Sequence, residues 1–104
     1  MNATTRHFAV IAFDRPGMRE QRLALRAGHR AYLRAPEPHR VTVCLGGPLL
    51  DEVGMCGTLL VVEADTRGAV ERFVQDDPYA RADLFERVDI RPWQWGLGNP
   101  DVPA

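Results

Sequence analysis

The chain has no lysine, and all 13 of its Lys/Arg positions are arginine. No side-chain amine can form a Schiff base here, so that class of covalent catalysis is excluded. Cysteine is scarce, with Cys44 and Cys56 the two present. Their spacing matches no zinc or redox motif, and free thiols are expected rather than a bridge. The longest apolar runs, around residues 8–13 and 58–62, fall far short of the roughly 20 residues that span a bilayer. Residues 1–7 lack the apolar stretch of a secretory signal, so a cytoplasmic protein without membrane contact is expected. No Gly-rich phosphate loop, nucleophile elbow or dinucleotide fingerprint occurs, and no cofactor is expected. His7, His29 and His39 are scattered, without metal-ligand spacing, and no metal is expected. The formal net charge is -1 and no segment concentrates positive charge, so nucleic acid is not an expected partner.

What is present suits one small globular unit. The 104 residues are 45% hydrophobic, enough for one core, and are read as one domain over 1–104. Residues 7–13 predict a strand apolar on both faces, broken by Asp14-Arg15-Pro16-Gly17. From Met18 to residue 33 the pattern is helical, with Met18, Leu25, Tyr32 and Leu33 on one side. Pro36 and Pro38 end that helix. Residues 40–46 alternate as a second strand, and Gly46-Gly47-Pro48 through Gly54 reads as a loop. Residues 57–64 predict a third strand. Asp65-Thr66 is a good N-cap for a second helix, whose core side is Ala69, Val70, Phe73 and Val74. Pro78 stops it just before Asp77, and 79–83 offers one further turn. Residues 86–95 predict the last strand, with Trp93 and Trp95 on one face. The Gly- and Pro-rich stretch 96–104 is an irregular tail.

Strand, helix, strand, strand, helix, strand is the order of a ferredoxin-like α+β sandwich. Its two helices cover one face of a four-stranded antiparallel sheet. A solvated opposite face would make its strands alternate cleanly, and strands one and three do not. Packing two such faces together relieves the exposure, so a homodimer is expected. Shielding by the C-terminal tail is the other way to cover them.

Few residues carry chemistry. His29 lies on or beside the buried stripe of the first helix, with Arg22 and Arg26 on the same side. It reads as a satisfied structural histidine or as a catalyst. Asp77 before Pro78 reads as turn chemistry, or as the carboxylate that orients His29 if the fold brings them together. Gly46-Gly47-Pro48 reads as a tight loop end or as a pocket mouth whose amides face an anion. Thr58 is a strand residue with a hydroxyl to offer.

Several segments jointly resemble a known family. They are Ala12-Phe13-Asp14-Arg15-Pro16-Gly17, residues 22–33, Gly47-Pro48-Leu49, residues 57–64, Asp76-Asp77-Pro78-Tyr79, Leu84-Phe85-Glu86 and Ile90-Arg91-Pro92-Trp93. Their order and spacing over about residues 7–95 are similar to those of YciI-like proteins, the YCII-related domain family. Two departures are Ala27-Gly28, where the family often has Pro-Ala, and Thr58, where many members carry serine. The resemblance implies a dimeric α/β barrel built from ferredoxin-like halves, and a pocket centred on a histidine–aspartate pair. The Arg-x-x-His pattern falls on Arg26 and His29, and the Asp-Pro-Tyr motif opens with Asp77. Arg26, Gly47, Pro48, Thr58 and Tyr79 are then the expected substrate contacts. The implied chemistry is cofactor-free lyase (dehydrochlorinase), isomerase or hydrolase action on a small cyclic or aromatic metabolite. Two other readings remain: a non-catalytic small-molecule-binding or accessory dimer, and a cofactor-free oxygenase.

Overall fold

The computed structural model describes residues 6–101. The elements are β1 (Arg6–Asp14), α1 (Arg19–Arg34), β2 (Val41–Leu50), β3 (Met55–Ala64), α2 (Arg67–Gln75), α3 (Pro78–Arg81) and β4 (Phe85–Trp93). The sheet runs β2-β3-β1-β4 with every neighbouring pair antiparallel, and this is the ferredoxin-like sandwich. β1 and β3 are the central strands, which explains why neither alternates. Phe8, Val10, Leu60, Val62 and Ala64 point to one side and pack under Ala69, Val70, Phe73 and Val74 of α2. Thr66 caps α2 by accepting from the Ala69 amide at 3.1 Å.

Three local features differ from the sequence reading. Gly46-Gly47-Pro48 is not a loop: β2 continues through it, pairing Gly46 with Leu60 and Pro48 with Thr58, and the loop shrinks to residues 51–54. β2 is an edge strand, where a proline need not donate to a second neighbour. A Cβ at Gly46 would lie 2.5 Å from Leu60 Cδ2 and 3.0 Å from the Leu59 carbonyl oxygen, so a larger residue there would have to displace the buried Leu60 side chain. β4 ends at Trp93, so Trp95 lies beyond the strand, its ring centroid 5.5 Å from that of Trp93 and 5.6 Å from His7. The expected apolar stripe of α1 is only half-buried, and its fully buried side chains are the polar Arg22 and His29.

The sheet face away from the helices carries Ala9, Ile11, Phe13, Leu45, Leu59 and Val61. Phe13, Leu45 and Leu59 remain 37–43% exposed. The tail bends back toward this face. Trp95 sits against His7, and Asp101 lies near enough to Cys44 that, after burial and Glu63, its charge pushes the thiol upward. Residues 102–104 of the expected tail, and residues 1–5, lie outside the described residues. Cys44 and Cys56 are free thiols. No helix among the described residues is long and apolar enough to cross a membrane.

Candidate active site

α1 leans on α3, and its middle stands off β2 and β3. The gap is a cavity of about 600 Å³ lined by α1, β2, β3 and Tyr79. His29 reaches it from the centre of α1. Asp77 lies behind His29, brought there by the turn between α2 and α3. Pro78 at the first helical position starts α3, and the Asp77 carboxylate caps it by accepting from the Tyr79 amide at 2.8 Å. Both readings of Asp77 therefore hold at once. Oδ1, which closes the turn, and Oδ2 each lie 2.9 Å from His29 Nδ1.

A carboxylate can only accept, so Nδ1 carries the proton in that bond, and in the neutral form of the ring Nε2 carries the lone pair. His29 and Asp77 are 6% and 4% exposed, so the pair is shielded from competing water. Among the described residues no buried side-chain nitrogen or oxygen lacks a hydrogen-bond partner. Nε2 has no hydrogen-bond partner among the described residues, so it is not enclosed, and the opening beside it is the cavity. An oriented imidazole with a free lone pair facing a cavity is equipped to take a proton from a bound molecule.

A second buried network supports the first. Arg22, only 2% exposed, grips Asp14 through two bonds of 2.6 and 2.9 Å and also donates to the Thr58 hydroxyl at 2.8 Å. The bidentate geometry and the third acceptor compensate for the loss of water around both charges. The Tyr79 ring stacks on the His29 imidazole at 4.0 Å, tilted by 16°. It also carries the Arg22 guanidinium carbon 4.4 Å from its centroid. The negative faces of that ring favour cations beside it. Burial pushes the Tyr79 phenol above its ordinary range, so it stays neutral around pH 7.

The residues expected to form the pocket come together at this place, whereas His7 lies by Trp95 and His39 by Asp76. Arg26, His29, Gly47, Pro48, Thr58 and Tyr79 line the cavity, and Asp77 sits behind the histidine. Arg26 makes no ion pair or side-chain hydrogen bond among the described residues. Asp14 was missed, and Arg22 was noticed only as a neighbour of His29. The signal for Arg22 was its spacing of seven residues, two helical turns, from His29. Asp14 sits in a turn-like segment and gave no signal of its own. Among the described residues, no three His, Cys, Asp or Glu side chains converge as metal ligands.

Comparison with known proteins gives the family and the fold. The family model described as YCII-related domain matches residues 7–94. Protein YciI of Escherichia coli is 25% identical over 93 residues, covering 84% of this chain and 95% of that protein. The solved structure of 5-chloro-2-hydroxyhydroquinone dehydrochlorinase from Burkholderia phenoliruptrix, in complex with 2,5-dihydroxybenzoquinone, is 33% identical. It superposes with a TM-score of 0.75 over 86% of this chain and 95% of that one. A dimeric protein of ferredoxin-like fold and unknown function from Bacteroides fragilis shares the fold at 12% identity. Its TM-score is 0.59, over 91% of this chain and all 100% of that one.

Proposed function

The chain belongs to the YCII-related domain family, and from that premise we propose that it is a small enzyme whose His29–Asp77 pair performs acid/base chemistry on a hydroxylated ring compound. The observation that carries this reading is a buried, carboxylate-oriented imidazole whose free nitrogen opens on a cavity. Nε2 of His29 takes a proton from the substrate, and the Asp77 carboxylate stabilises the imidazolium that results. The negative charge left on the substrate faces Arg26 and the Thr58 hydroxyl. In an elimination from the keto tautomer of the ring, whose halide sits on a tetrahedral carbon, deprotonation of a hydroxyl forms a carbonyl, the ring double bond shifts toward that carbon and the C–Cl electron pair leaves with chloride. The proton then passes from His29 to water. In an isomerisation the imidazolium returns the proton to another ring atom.

Elimination of halide is favoured among these reactions, because the relative at 33% identity is named for removing chloride from a chlorinated hydroxyhydroquinone. The cavity, at about 600 Å³, is in the range that holds one substituted ring. The working unit is a homodimer joined through the open sheet face, where Phe13, Leu45 and Leu59 lie exposed together. The free thiols suit a reducing cytoplasmic setting.

The test is chloride release from 5-chloro-2-hydroxyhydroquinone under exclusion of oxygen. Catalytic release by the wild-type chain, absent from the His29→Gln chain, is the expected result. No release above the uncatalysed rate removes the dehydrochlorinase assignment.

A further inference from the structure

The near-neutral net charge hides an uneven distribution. α1 carries five arginines against one glutamate, which overturns the expectation that no segment concentrates positive charge. Arg22, Arg26, Arg30 and Arg34 recur every four residues, so they share one face, and all four border the cavity, Arg22 buried, Arg26 half-buried, and Arg30 and Arg34 exposed. Arg22 is neutralised by Asp14. Arg26, Arg30 and Arg34 make no ion pair and no side-chain hydrogen bond among the described residues, and Glu37 is the one carboxylate on the cavity wall. Like charges at this spacing repel, so the row weakens the helix that carries it. The helix dipole accounts for Arg34, in the last turn, but not for Arg26 and Arg30.

The facing wall has the opposite character. Val41, Val43, Leu60 and Pro48 offer an apolar surface of β2 and β3. A flat ring fits against that wall, with its acidic substituents turned toward α1. Successive arginines are separated by about 6 Å along the axis. That is comparable to the span from a hydroxyl to a carboxylate across one six-membered ring.

We infer that the site favours ring acids over neutral rings such as 5-chloro-2-hydroxyhydroquinone, which holds the reacting hydroxyl but lacks the second anchor: the hydroxyl lies between His29 and Arg26, and a carboxylate is held by Arg30 and Arg34. The inference rests on the proposed role of the cavity and adds the chemical class of its ligand. The guanidinium forks of two arginines suit a carboxylate, and a neutral ring leaves both of them unused.

The experiment measures binding of 2,5-dihydroxybenzoate and its neutral carboxamide to the full chain by calorimetry. The His29 ring-proton resonances are followed in parallel by NMR. Wild type is expected to bind the acid about tenfold or more tightly than the amide, with a preference that fades in high salt. The Arg30→Gln/Arg34→Gln double variant, unchanged in melting temperature, is expected to lose that preference. Equal binding of acid and amide by wild type, no binding of the acid, or full preference in the double variant overturns the inference. A preference that depends on these arginines while the His29 resonances stay still leaves the carboxylate site standing and removes the proposed role of His29.

Discussion

Asp77 holds His29 with the carboxylate that also starts α3, Oδ1 lying 2.9 Å from Nδ1 and accepting from the Tyr79 amide at 2.8 Å. The turn and the imidazole are thus fixed by one side chain. Tyr79, positioned by that turn, stacks on the imidazole it helps to orient. The site is stiff because its parts are each other's supports.

Arg22 is the structural anchor below this pair. Its removal as Arg22→Met leaves Asp14 charged, buried and without its partner. The expected loss is about 3–5 kcal/mol, read from urea unfolding. Arg26→Met, which breaks no ion pair, is expected to change stability by no more than about 0.5 kcal/mol. Similar values for the two variants would show that the Arg22–Asp14 pair is not a buried anchor.

Gly28 lies inside α1, and a Cβ built there meets nothing within 4 Å. Gly28→Ala is therefore expected to raise stability by about 0.5–1 kcal/mol, through helix propensity alone. Thermal unfolding checks this, and a destabilised variant would mean that the helix needs glycine at that point.

The buried phenol of Tyr79 and the half-buried one of Tyr32 set an alkaline limit. Tyr79 and Tyr32 both titrate above their ordinary range, burial being the first cause in each. The unfolded chain releases these protons near pH 10, before the folded chain does. The stability they contribute is whole below that pH and is lost as pH rises through the folded values. Unfolding free energy should fall from about pH 10 upward, and less steeply in Tyr79→Phe. An equal slope in that variant would contradict the burial of this phenol.

The open sheet face is the proposed dimer surface. Leu59 is 37% exposed at its centre, paired in register with Ile11. Leu59→Arg should yield a folded monomer by light scattering, where wild type gives a dimer. A monomeric wild type would contradict the dimer directly.

The sequence disclosed the order of elements because each signal was local. Thr66 caps α2 as its spacing from Ala69 requires, and Ala69, Val70, Phe73 and Val74 form the buried face of α2 as their periodicity indicates. Edge position is not local. Whether Gly46-Gly47-Pro48 breaks a strand or continues one depends on whether a second neighbour needs the proline's missing N–H, and β2 has none. The site was half visible for the same reason. Helical spacing gathers Arg22, Arg26 and His29 on one face, but Asp77 is 48 residues from His29. Position alone could not join them, and the family resemblance did. Asp14 needed the sheet, which carries it under Arg22 across the α1 turn.

Proton transfer by His29, held by Asp77, is most directly tested in the Asp77→Asn chain. Asparagine still caps α3, so the fold and the stack on Tyr79 should survive while the charge behind the imidazole is lost. The decisive measurement is kcat on 5-chloro-2-hydroxyhydroquinone for wild type, His29→Gln and Asp77→Asn, at matched folded fraction. The account predicts a fall of about 10²–10⁴-fold in kcat for both variants, with KM changed far less. Full turnover retained by either variant would contradict it.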